Sequence, residues 1–254
     1  MKIRIAVPII IVLIGFSVSA FAQGKPRPSP AKPKAQQARN PEIGKFAVVI
    51  DETLSVLRKT PSLYSESVHR MSRGRVVQIA GVAVADGVKF YKVVVPPKNW
   101  GWVQADALFG KFRSSDEQRF FDLIKATDGF EQIEMAAEFF THFPESSLRA
   151  KLLLLYGDAI QAATVKLSKD ANSRLKNAEM KASAAPIHSY FLNFNMLDRY
   201  RKLGITFLFD TKLRQYHYDG ASWVEIVKRF PNAPEAGEAK KRIDLVKQKM
   251  GLGG

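Results

Sequence analysis

The stretch from Leu54 to Leu108 limits most strongly what this chain can fold into. It holds short apolar runs, Leu54-Ser55-Val56-Leu57, Arg75 to Ala80, Phe90 to Val95 and Trp100-Gly101-Trp102-Val103. The breaks between them are Pro61-Ser62, Gly74, Asp86-Gly87 and Pro96-Pro97. β-branched and aromatic runs punctuated in this way read as strands of a small barrel or sandwich. Asp-Gly between two apolar runs is a hairpin signal, because both turn residues need a positive φ. A Pro-Pro pair cannot continue a ladder and ends its strand. Phe46-Ala47-Val48-Val49-Ile50 adds a run of the buried type, so residues 45–112 are predicted to be a β domain.

The region before it has a different chemistry. Lys2 and Arg4 precede an apolar run from Ile5 to Phe16, and small residues follow up to Ala20-Phe21-Ala22. A positive start, a short apolar segment and an A-x-A site predict a secretory signal peptide over 1–22, cleaved after Ala22. The alternative is an uncleaved membrane anchor, for which the run from Ile5 to Ala22, with Pro8, Gly15 and two serines, is marginal in length. Residues 23–44 carry five of the 13 prolines and five basic groups against Glu42. Such a segment buries too little apolar surface to offset its ordering entropy, and is expected to be an extended, disordered linker. The predicted location is therefore periplasmic or secreted. The absence of cysteine excludes disulfides and thiolate chemistry.

The formal charge of +15 suggests nucleic acid until it is divided along the chain. Residues 1–22 carry +2, 23–44 carry +4, 45–112 carry +5 and 113–254 carry +4. An excess spread this thinly suits contact with an anionic envelope surface better than a dedicated nucleic-acid groove.

From Ser115 onward the pattern is helical. Ser115 with Asp116 and Glu117 forms an N-cap with acidic first-turn residues. Phe120, Phe121 and Ile124, then Phe130, Ile133, Ala136, Ala137 and Phe140, recur at helical spacing. The helix should stop before Phe143-Pro144. Leu152, Leu153, Leu155, Tyr156 and Ala159 mark the next helix, whereas Lys166 to Ala185 reads as an exposed helix end or a long loop. Ile205–Asp210 and Arg214–Gly220 pair as a β-hairpin, with alternating Phe207/Phe209 and Tyr216/Tyr218. Glu138 to Ser146 is echoed by Glu225 to Ala233 at an offset of 87 residues, and both copies end a helix at Phe-Pro.

Two family resemblances follow. Leu54, Val56, Pro61, Ser62, Gly74, Val76 or Val77, Tyr91, Val93, Gly101, Trp102, Val103 and Leu108 resemble the pattern of a bacterial SH3-like (SH3b) domain. The likeness covers about 65 residues, its closing Gly-Trp-Val being the distinctive part. Leu57 stands where that family carries arginine, and Arg58-Lys59-Thr60 replaces its usual Ser-Gly. The Phe-Pro echo resembles tetratricopeptide-like (TPR-like) helical hairpins, although two copies fall short of the three or so that a stable solenoid needs. The expected architecture is multidomain β + α: a small SH3-like β-barrel over 45–112, then a TPR-like α-helical domain over 113–254 with a short β-hairpin.

No catalytic constellation is visible. His69, His142, His188 and His217 are isolated and lack metal-ligand spacing, so they read as surface or packing residues. No nucleophile-elbow, Walker or dinucleotide glycine pattern occurs. No cofactor and no metal are expected. Tyr64, Tyr91, Trp100 and Trp102 are the candidate ligand surface, since aromatic rings on a small barrel either fill the core or line a groove. Gly101 puts Trp100 and Trp102 on one face; the closing-motif match puts Trp102 in the core and leaves Trp100 exposed. The resemblances imply a non-enzymatic exported binding or adaptor protein, with cell-wall peptidoglycan or envelope proteins as partners. An accessory subunit of a cell-wall hydrolase, or a degenerate hydrolase, is the alternative.

Overall fold

The computed structural model describes residues 40–95 and 99–250. The predicted signal peptide, most of the predicted linker and Pro96-Pro97 lie outside the described residues. The structure is mixed β and α, a seven-stranded antiparallel sheet followed by helices and a two-stranded sheet.

The strands are β1 (Phe46–Val49), β2 (Val56–Arg58), β3 (Ser67–Arg70), β4 (Val76–Ala85), β5 (Val88–Val95), β6 (Asn99–Gln104) and β7 (Leu108–Phe109). Their order is β3-β2-β6-β5-β4-β1-β7, so β3 and β7 are the two edges. Asp86 and Gly87 turn β4 into β5 with φ of 54° and 72°. These are the left-handed dihedrals that an Asp-Gly hairpin supplies at low cost. Ala80 is extra in the β4–β5 register, where Ile79 faces Val93 and Gly81 faces Lys92. A bulge of this kind bends the strand and increases its twist. Strand β3 carries little apolar alternation and was not foreseen; it pairs with β2 across the loop 59–66.

One face of the sheet encloses its own core, built from Leu57, Met71, Val77, Ile79, Tyr91, Val93, Val103 and Leu108 among others. At Gly101 an added Cβ would lie 2.7 Å from Leu57 Cγ and 2.8 Å from the Arg58 carbonyl oxygen. Glycine there lets β6 close on β2. Asn40–Gly44, expected to belong to the disordered linker, is instead a turn fastened to the sheet. The Gly44 amide donates to the Ile79 carbonyl at 2.7 Å, and Glu42 pairs with Lys89 Nζ at 2.5 Å.

The helices are α1 (Asp116–Ala126), α2 (Gly129–His142), α3 (Arg149–Arg174), α4 (Asn177–Ala182), α5 (Ile187–Leu192), α6 (Asp198–Arg201), α7 (Ala221–Arg229) and α8 (Glu235–Lys249). A hairpin of β8 (Phe207–Asp210) and β9 (Gln215–Tyr218) precedes α7. Helix α3 packs on α2, α7, α8 and β9, and so lies at the centre of this region. The Lys166–Ala185 expectation needs correcting, because α3 continues to Arg174 with Leu167, Ser168 and Ala171 buried. Its polar side chains receive the free edge of β9. The Tyr216 amide donates to Ser168 Oγ at 2.9 Å, and the Tyr218 amide donates to Gln161 Oε1 at 3.0 Å. Buried backbone donors need partners, and here helix side chains stand in for a neighbouring strand.

The Phe-Pro echo is geometric as well as sequential. Phe143 and Phe230 have φ/ψ of −126°/58° and −129°/50°. Their amides donate to Phe139 and Ile226, 2.8 Å away in each case. The following amides, Ser146 to Phe143 and Ala233 to Phe230, repeat the match. Ser115 makes no capping bond at the start of α1. The buried Asp116 carboxylate turns back instead, accepting from the Gly110 amide and Arg113 Nε, both at 2.8 Å.

The described residues form one compact unit. Val48, Ile50 and Phe109 from the sheet share a core with Phe120, Phe121, Ile124, Met135, Phe139, Phe143 and Leu152 of the helical region. Arg119 stacks over the Phe109 ring at 3.9 Å and donates to the Leu108 carbonyl at 2.8 Å.

Candidate binding face

The strand register sorts the four aromatic candidates. Residues directly opposite each other in a ladder share a face. Arg58, Trp102, Lys92 and Gly81 form one cross-strand row over β2, β6, β5 and β4. Trp100, Val94, Gln78 and Phe46 form the next, over β6, β5, β4 and β1. Both rows lie on the face opposite the sheet's own core. Toward β7 that outer face is buried, where Val48 and Phe109 meet the helices. Away from it the face is open, with Phe46 64 % exposed, Trp100 59 % and Val94 44 %.

Trp100 is exposed, as expected. Trp102 corrects the expectation drawn from the closing motif. It is partly buried on the outer face rather than in the core, with Gly81 leaving room for its ring edge, 3.9 Å from where a Cβ would stand. Lys92 stands directly opposite Trp102 in the ladder, and its Nζ sits 4.8 Å from the centre of the Trp100 ring. An ammonium over an indole is attracted by the ring's negative face while its other donors stay free for a ligand.

Tyr91 belongs elsewhere. It is fully buried, and its hydroxyl donates to Glu42 Oε1 at 2.9 Å. Burial, and then that hydrogen bond to a carboxylate, push its ionisation well above the usual phenol range. Tyr91 is therefore a core residue, because β5 turns its odd-numbered side chains inward. Tyr64 is 90 % exposed at the tip of the loop 59–66. That loop is held over the β4–β5 turn by Asp86, which accepts from Ser62 Oγ at 2.7 Å and from the Leu63 amide at 2.8 Å. These two bonds hold the Asp86 carboxyl below its ordinary range. Arg58 donates from Nη1 to the Ser65 carbonyl at 2.8 Å and fastens the other side of the loop.

Where the open face meets the helices there is a groove of about 480 Å³. Phe46, Val76 and Phe109 form its sheet wall, His142 and Phe143 its helix wall, and Lys45 and Lys111 contribute positive charge. Phe46, Arg58, Lys92 and the groove are residues that sequence reasoning missed. Their exposure depends on which strands pair, and period-2 alternation within a single strand does not reveal that.

Arg58, Lys92, Lys45 and Lys111 are all basic, and the two cross-strand rows contain no carboxylate. An open strip of indoles, phenyl and ammonium groups suits an extended ligand with apolar and anionic parts. Of the histidines, His142 stands 3.3 Å from Glu138 and His69 faces Leu57 in the β2–β3 ladder. Comparison with protein-family models, curated proteins and solved structures finds no match.

Proposed function

We propose that this chain is a non-enzymatic binding protein of the bacterial envelope. The sheet would be an SH3b-like module, closed as a small barrel, and the helices a TPR-like array that takes a protein partner. The observation that carries this reading is the open outer face, with Lys92 opposite Trp102 and its ammonium over Trp100, on rows without a carboxylate. Peptidoglycan stem peptides combine carboxylates with short apolar side chains, and such a strip complements both. The repeated Phe-Pro helix ends of α2 and α7 support the TPR-like half. The export signal read in residues 1–22 supports the location. Among the described residues no helix is long and apolar enough to cross a membrane.

The test is co-sedimentation of the chain from residue 23 onward with purified sacculi at physiological salt. Retention by the wild type and its loss in Trp100→Ala support the proposal. No retention, or equal retention of the variant, contradicts it.

A further inference from the structure

His217, in the middle of β9, is 4 % exposed, and neither ring nitrogen has a hydrogen-bond partner among the described residues. A buried imidazole with nothing to bond leaves a donor and an acceptor unsatisfied, which is costly unless something else occupies the site. His217 lines a pocket of about 320 Å³ between α3 and β9. Lys169 of α3 and Lys249 at the end of α8 belong to its lining, and among the described residues no aspartate or glutamate does. Val165 and Leu213, at 72 % and 63 % exposure, are large apolar side chains presented to solvent on the same lining.

We propose that this pocket binds the oxyanion of a small acid, a carboxylate or phosphate carried on an apolar body. The His217 ring donates one N–H to an oxyanion oxygen, and the Lys169 and Lys249 ammonium groups balance the charge. Val165 and Leu213 cover the apolar part. Burial, and then Lys249, push the His217 ionisation down, while Asp210 on β8 opposes them. In either protonation state the ring keeps an N–H to donate. Asp210 does not fill the pocket, since its Oδ1 accepts from the Lys212 and Leu213 amides at 2.8 and 3.0 Å. This site is built from α3, β9 and α8, apart from the open sheet face, and stands or falls independently of it.

The test is NMR of the full chain labelled with 15N-histidine, titrated with inorganic phosphate or butyrate, with sodium chloride at matched ionic strength as the control. The proposal expects a saturable shift of the His217 ring signals, weakened at least about tenfold in the Lys169→Gln/Lys249→Gln double variant. Saturation by phosphate alone assigns a phosphate ligand, and saturation by butyrate alone assigns a carboxylate. No saturable shift with either probe overturns the proposal. So does a shift that chloride reproduces or that the double variant leaves unchanged.

Discussion

Arg73, in the turn leading into β4, donates from Nη1 to Glu134 Oε2 of α2 at 2.6 Å. The same guanidinium reaches Glu131 at 2.5 Å and the Ile50 carbonyl at 3.0 Å, and its side chain is only 6 % exposed. Next to it, a Cβ on Gly74 would stand 2.6 Å from Glu138 Oε1. Sheet and helices are therefore joined by a nearly buried cation as well as by the shared phenylalanine core. Removing Arg73 strands two carboxylates that remain partly solvated, so the loss is smaller than for a fully buried pair. Arg73→Ala is expected to lower unfolding free energy by about 2 kcal/mol, with a coupling to Glu134→Ala of about 1 kcal/mol in a double-mutant cycle. Urea denaturation checks both values, and a coupling near zero contradicts the bridge.

Gly157, inside α3, seats Trp223 of α7. A Cβ there would lie 2.5 Å from Ser222 Oγ and 2.7 Å from Trp223 Cε2. Alanine in a helix interior normally gains about 1 kcal/mol over glycine. Overpacking a core costs about 1–3 kcal/mol, and Trp223 is 1 % exposed with nowhere to move. The clash should win. Gly157→Ala is predicted to lower the melting temperature, whereas Gly237→Ala, with open space around it, should not.

Acid should weaken the fold in two stages. The His217 ionisation is pushed down by burial and then by Lys249, so the unfolded chain takes up its proton first. That contribution is present above the unfolded value of 6.5 and is lost as pH falls below it. Burial alone would raise the Glu42 ionisation, but hydrogen bonds from Lys89 and Tyr91 outweigh it and hold the carboxyl low. Its contribution is present above 4.5 and is lost as pH falls through the folded value. Denaturation midpoints measured from pH 8 down to 4 should therefore decline first below 6.5 and again below 4.5. His217→Gln should flatten the first decline and Glu42→Gln the second.

Particular residues show how far the sequence could be read. Asp86-Gly87 marked its hairpin because turn chemistry is local. Phe207/Phe209 and Tyr216/Tyr218 marked theirs because cross-strand partners alternate together. The Phe-Pro echo located two helix ends for the same reason, since proline acts on its own neighbours. Strand β3 stayed hidden, being an exposed polar edge with no apolar period. The part of α3 from Lys166 to Arg174 looked solvent-facing because its buried Ser168 is polar, serving another segment's amide. In the binding face, Gly101 put Trp100 and Trp102 together by simple alternation. Which of those faces is inward, and hence the fates of Tyr91 and Trp102, depends on pairings among distant strands.

Under the proposed function, the open sheet face, and not the rest of the molecule, meets a cell-wall ligand. The chain has three tryptophans, Trp100 and Trp102 on that face and Trp223 buried against α3. Their indole N–H signals are therefore a built-in map. Adding soluble muropeptides to 15N-labelled protein should shift Trp100 and Trp102 saturably and leave Trp223 in place. Muropeptides that leave Trp100 and Trp102 unmoved, or move Trp223 alone, would contradict the account.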